Sequence, residues 1–246
     1  MRLPRLILLL AALSLAPGGA QTPQDTSLRL MHSTFRIAGP GGQATVFLLT
    51  VPGSAGERTI LVTAAHVLRA IEGDTPLVSL RQQKAGGKWE PLPWPVRIRS
   101  AARPLWVEHP TADAAAMEVE VPEAVRRTLA PASLLADATV LERMLPGEPL
   151  QAIGFPRGLP FAFPVLRGGP LASPILPDQP VASFVVNLPV GPGDSGSPIY
   201  WRDTQLILGM ISQSIVTGKG TPLELARILP APVIRETIDR VAGRQP

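Results

Sequence analysis

An all-β fold is what this sequence predicts, and three observations carry the prediction. Its apolar runs are short and rich in Val, Ile and Thr, the composition of strands rather than helices. Glycine and proline punctuate those runs at short intervals. The 29 prolines among 246 residues set turns and interrupt helices, which leaves little room for long helical segments.

In chain order, the first segment stands apart from the fold. Arg2 and Arg5 precede an apolar run over 6–15, and Gly18-Gly19-Ala20 offers small residues for cleavage. This is the pattern of a secretory signal peptide over 1–20, cut after Ala20. The run is too short to span a bilayer, and no later stretch reaches about 18 uninterrupted apolar residues. The mature chain is therefore expected to be exported, periplasmic or secreted, with no stable membrane anchor. Residues 21 to about 30 read as a loose arm. Strands are expected over 34–37, 44–50, 59–63, 77–80, 96–99 and 115–121, enough for one barrel in an N-terminal half spanning 21–121. The Ala- and Pro-rich stretch 122–147 reads as a linker with a short helix over 123–129. The C-terminal half, 148–246, offers strands over 150–155, 165–168, 182–186, 197–201 and 206–212, with a weaker one near 223–229. Val233, Ile234, Ile238 and Val241 share one helical face and predict a closing helix over 232–241.

Composition narrows the function classes. With no cysteine, an exported chain relies on its core rather than on disulfides. The length left after the leader is ample for one large or two small cores. Loss of Arg2 and Arg5 lowers the formal charge from +4 to +2. The arginines are scattered, only Arg126-Arg127 being adjacent, and no basic cluster is interleaved with aromatic residues, which argues against a nucleic-acid partner. The oligomeric state is not legible.

Three motifs bear on chemistry. Gly193-Asp194-Ser195-Gly196-Ser197-Pro198 sets a serine in a glycine-flanked turn between apolar segments. Such a turn exposes the hydroxyl and lets backbone N–H groups converge where negative charge can develop. A serine needs a base, and the base needs an orienting group. His66 closes the run Thr59-Ile60-Leu61-Val62-Thr63-Ala64-Ala65, so its imidazole sits at a strand end. Asp113 precedes an alternating strand (Met117, Val119, Val121) after a Pro-Thr turn, at a loop-to-strand junction. Each also has an ordinary structural explanation: a turn serine, a core histidine, a carboxylate in an Asx turn. His109 and Asp113 are too few to make a metal site; His109 reads as a surface turn residue and His32 as structural. Gly218-Lys219-Gly220-Thr221 lacks the earlier glycine of a phosphate loop and reads as a turn.

Taken together, Thr63-Ala64-Ala65-His66, Asp113-Ala114-Ala115 and Gly193-Asp194-Ser195-Gly196-Ser197-Pro198 resemble the chymotrypsin-like (trypsin-like) serine peptidases. The order His, Asp, Ser is that family's order. Ile153-Gly154-Phe155-Pro156 resembles a strand end of bacterial members, Leu208-Gly209-Met210-Ile211-Ser212 resembles the strand that follows the nucleophile, and the lack of cysteine fits the bacterial exported type. One departure is Val46, where many relatives carry a glycine before the aromatic strand residue. The resemblance implies two antiparallel six-stranded barrels with the site between them and a short C-terminal helix. It implies an exported endopeptidase with Ser195 as nucleophile, His66 as base and Asp113 as orienting acid. It further implies an oxyanion hole from the N–H groups of Gly193 and Ser195, with Asp194 holding that turn through a charged partner or backbone donors. No cofactor and no metal is expected; the partner is a peptide or protein substrate. The primary pocket would have Pro189 at its base, with Val190, Ser212, Gln213 and Ser214 as walls and Ala226 behind them. No carboxylate lies at the base and no histidine follows His109, so a small or medium apolar residue is the expected preference. A catalytically silent peptide-binding relative and an esterase-like hydrolase with the same triad are the alternatives.

Overall fold

The computed structural model describes residues 26–54, 56–158, 162–176 and 182–243; the expected leader over 1–20 lies outside them. The chain opens with helix α1 (Thr26–Ser33), then strands β1 (Thr34–Gly39), β2 (Gly42–Val51) and β3 (Arg58–Thr63) and helix α2 (Ala65–Ala70). Strands β4 (Leu77–Gln83), β5 (Trp89–Pro95), β6 (Arg99–Ser100), β7 (Arg103–Pro104), β8 (Val107–Glu108) and β9 (Ala115–Val119) follow. Helix α3 (Glu123–Arg126), strand β10 (Ala130–Pro131), a 3-10 turn at Ala132–Leu134 and helix α4 (Ala138–Glu142) occupy the middle. Strands β11 (Pro149–Gly154), β12 (Val165–Pro170), β13 (Phe184–Val186), β14 (Pro198–Trp201), β15 (Leu206–Val216) and β16 (Pro222–Pro230) precede the closing helix α5 (Ala231–Ala242).

The fold is all-β, built on two antiparallel sheets and a C-terminal helix. The first sheet runs β5-β4-β1-β2-β3-β9-β8, with β10 added in parallel to β2. It thus has eight strands where six are expected. The second has six, ordered β12-β11-β14-β15-β16-β13. Strands β2 and β3 are buried on both faces. Phe47, Leu49, Ile60 and Val62 join the core shared with the second sheet and α5, whereas Val46, Leu48 and Leu61 fill a separate core of the first sheet. Burial on both faces explains why these strands read as continuous apolar runs rather than alternating ones. Val46, the departure from the family pattern, is fully buried in that first-sheet core.

Several expectations need correction. The arm over 21–30 is not loose from Thr26 onward: α1 buries Leu30 completely, and Thr26 bonds Gln205 through both its N–H and its hydroxyl. The strand expected over 96–99 is mostly a buried connection, with Val96 N–H donating to Pro76 and Ile98 N–H to Asp74. The true strand, β5, lies just before it and carries Pro91, Pro93 and Pro95. Prolines two residues apart face their nitrogens to one edge. In β5 that edge pairs with no strand among the described residues, β4 being its one neighbour there. The helix expected over 123–129 stops at Arg126. The stretch 122–147 is more than a linker: β10 pairs with β2, and Ala136 N–H donates to Ile207 of the second sheet. Arg81 fastens the same junction. It is 3% exposed and donates to Met31, Thr34 and Ala162 carbonyls, and burial pulls its guanidinium down to about 10.

Candidate active site

Ser195 sits in the turn that enters β14. Asp194 N–H donates to Gly191 and Ser197 N–H to Asp194. Gly193 and Gly196 take left-handed φ of +99° and +87°. A Cβ on either would lie 2.3 Å from the Phe155 oxygen or 2.1 Å from the Thr45 oxygen, so the turn demands glycine at both positions. Thr45 of β2 grips this turn from the first sheet. Its N–H donates to Ser195 O at 3.0 Å, and its hydroxyl donates to Gly193 O at 2.8 Å and accepts from Phe155 N–H at 3.0 Å.

His66 lies in the first turn of α2, immediately after β3. Its N–H donates to Asp113 Oδ1 at 2.8 Å, and its Nδ1 lies 2.6 Å from Asp113 Oδ2. A carboxylate accepts, so Nδ1 carries the proton and Nε2 is left as an acceptor. Nε2 is 3.1 Å from Ser195 Oγ. The Ser195 hydroxyl lies 3.5 Å from Ser212 O, too long to compete with the imidazole. The structure therefore brings together all three residues singled out in the sequence.

Asp113 has further partners beside His66. The Ser212 hydroxyl donates to Oδ2 at 3.3 Å, Arg69 Nη2 stands 3.6 Å from Oδ1, and Asp113 O accepts from Ala65 N–H. Burial pushes the carboxyl up, but the hydrogen bonds from His66 and Ser212 outweigh it and leave Asp113 below its ordinary value. His109 orders the loop beneath. Expected at the surface, its side chain is only 7% exposed. Nδ1 accepts from the N–H groups of Thr111 and Ala112, and Nε2 donates to Glu236 of α5 at 3.1 Å. Both ring nitrogens are thus committed to protein partners, the opposite of a metal ligand. His32 stacks on Trp89 with ring centroids 4.4 Å apart, a packing role.

The residues assigned to the primary pocket are spread over three segments. Ser214 pairs with Ala226 across β15 and β16, Gln213 is exposed, and Pro189 and Val190 lie on the segment leading to Ser195. Ser212 turns its hydroxyl to Asp113 rather than lining a wall with it. Asp194 is buried, with Arg167 Nη2 on Oδ1 at 2.5 Å and Gly191 N–H on Oδ2 at 2.9 Å. Burial pushes this carboxyl up, and Arg167 and the Gly191 N–H partly offset it. Thr45, Arg69 and Arg167 escape sequence reasoning. Each lies in an ordinary strand or helix context, and only the fold brings it to the site.

No protein-family model and no curated protein sequence matches this chain. Solved structures do. The HtrA-type protease AlgW, in a structure with a tripeptide, is similar at TM-score 0.60 and 14% identity over 90% of this chain. The chain spans 64% of that protein. Rv3671c from M. tuberculosis H37Rv, in an inactive form, is similar at TM-score 0.53 and 18% identity, covering 94% of this chain and 96% of its own. AlgW with a decapeptide gives TM-score 0.58 at 13% identity over 89% of this chain. At these identities the likeness shows that the chain has the fold of chymotrypsin-like serine peptidases.

Proposed function

We propose that the chain is an exported serine endopeptidase. The observation that carries this reading is the unbroken series from Ser195 Oγ through the His66 ring to Asp113, with contacts of 3.1 and 2.6 Å. In that geometry Ser195 Oγ attacks the scissile carbonyl carbon while His66 Nε2 takes the hydroxyl proton. Asp113 keeps Nε2 free to accept it and stabilises the imidazolium that forms. The oxyanion of the tetrahedral intermediate accepts from the N–H groups of Gly193 and Ser195, each worth roughly 2.7–4 kcal/mol in the transition state. Collapse breaks the C–N bond, and the imidazolium gives its proton to the leaving amine. Water then attacks the acyl-enzyme with His66 again as base, releasing the new carboxyl group and restoring Ser195.

A peptide substrate is supported by the fold shared with AlgW, whose structures hold a tripeptide and a decapeptide. The residues assigned to the pocket bring no charged side chain to it, so the residue before the cleaved bond is small or medium and apolar. A peptide-library profile dominated by Arg or Glu would sink that preference. Export rests on the leader pattern over 1–20; recovery of the full chain uncleaved in the cytoplasm would overturn it.

The deciding experiment is fluorophosphonate labelling followed by hydrolysis. Wild-type protein should label, and Ser195→Ala should abolish labelling and turnover while melting like the wild type. Casein cleavage beside p-nitrophenyl ester hydrolysis separates a peptidase from an esterase. Absence of any Ser195-dependent labelling would leave a peptide-binding module instead.

A further inference from the structure

The turn over 193–197 lies between the two sheets. On one side β15 flanks it: Gly196 N–H donates to Ile211 O, and Ile211 N–H donates to Ser197 O. On the other side stands β2, where Thr45 N–H donates to Ser195 O and the Thr45 hydroxyl donates to Gly193 O. Ser212, Gln213 and Ser214, assigned to the primary pocket, all belong to β15. A peptide whose side chain before the cleaved bond enters that pocket crosses Ser195 and leaves on the β2 side. The leaving half of the substrate therefore passes the junction of Thr45, Gly193 and Phe155.

Two arginines border that junction. Arg36 of β1 lies directly opposite Thr45 of β2. Residues paired in this way point to one face of the sheet. Phe35, Ile37, Ala44 and Val46 fill the first-sheet core, so Arg36 and Thr45 share the other face, the one that meets Gly193. Arg157 reaches the junction from the second sheet. Its N–H donates to Pro192 O at 2.8 Å, and a Cβ on Gly193 would lie 2.8 Å from that nitrogen. Arg157 is exposed and Arg36 half-buried. Neither guanidinium has an ion-pair or hydrogen-bond partner among the described residues. Two unpaired cations at one junction repel each other, and a carboxylate beside them relieves the repulsion. The planar guanidinium matches a carboxylate through two parallel N–H donors. An extended peptide advances about 3.3–3.6 Å per residue, so three residues after the cleaved bond span roughly 10 Å, enough to pass Gly193.

We propose that Arg36 and Arg157 select substrates with an acidic leaving half, binding an Asp or Glu side chain within three residues after the cleaved bond. The role rests on the peptidase reading. It is tested with internally quenched peptides that share one apolar residue before the cleaved bond and carry Asp, Asn or Lys at one of the three positions after it. The readout is the ratio of kcat/KM values within one protein, from which any loss of active enzyme cancels. Both guanidinium groups meet water, so the wild type should favour Asp over Asn by about fivefold at one or more of those positions. Raising sodium chloride from about 20 mM to about 500 mM should bring the ratio towards one. Arg36→Ala and Arg157→Ala should each lower it, and Arg157→Glu should invert the order to favour Lys over Asp. Only the side chain of Arg157 changes in these variants, so its backbone bond to Pro192 stays. Should Arg36→Ala fail to fold, Arg157→Glu, at an exposed position, decides the matter. A wild-type ratio of one at all three positions, or a preference for Asp that Arg157→Glu leaves in place, would overturn the role of the two arginines alone. A wild-type protein that cleaves neither these peptides nor casein would overturn the peptidase reading itself.

Discussion

Asp113 contacts both the ring and the backbone of His66, so its carboxylate fixes the imidazole in position as well as in tautomer. Asp113→Asn presents an amide N–H or a weaker acceptor to Nδ1 and favours the wrong tautomer. A fall in kcat of about 10⁴-fold is expected, measured on the p-nitrophenyl ester. The same residue sets a pH dependence of stability. Its folded value lies below the ordinary carboxylate value, so its contribution is present above that ordinary value and is lost as pH falls through the lower, folded one. Acid unfolding curves of wild type and Asp113→Asn should therefore converge at the acid end. At this scale the sequence was most legible where a residue's neighbours in the chain carry the signal: Ser195 between glycines, His66 at a strand end, Asp113 before a strand. Arg167 stands 27 residues from Asp194 and Thr45 148 residues from Gly193, and nothing local marks either.

Among the elements, strands with β-branched runs were readable and those defined by their sheet position were not. Thr59-Ile60-Leu61-Val62-Thr63 forms β3 almost as expected. Strand β5 was invisible because its prolines argue against a central strand, and only its edge position makes them harmless. The expected strand at 96–99 has the right apolar residues, but Val96 and Ile98 spend their N–H groups on the loop at 74–76 instead of on a ladder. Helix α1 is short and weakly patterned; its place is fixed by Leu30 and by the distant Gln205. The turn entering β14 gives the sharpest test at this scale. Gly196→Ala would combine a left-handed φ with a Cβ 2.1 Å from a backbone oxygen that cannot move without shifting β2. A loss of about 3 kcal/mol or more is expected in denaturant unfolding.

Across the whole molecule, two sheets are tied by β10, by Ala136, by Arg81 and by α5, whose Glu236 reaches back to His109. Thr45 is the tie that matters to the chemistry. Thr45→Val keeps the shape but leaves Gly193 O and Phe155 N–H without their buried partner. A loss of about 2 kcal/mol or more is expected in thermal unfolding, together with slower fluorophosphonate labelling. The strand carrying Thr45 belongs to the first sheet, as do the elements that place His66 and Asp113, while Ser195 comes from the second. A growing polypeptide therefore makes His66 and Asp113 well before Ser195. The turn that carries Ser195 has no Thr45 to close on until the two sheets have met. The constellation of Ser195, His66 and Asp113 is thus complete only once both sheets have formed and docked.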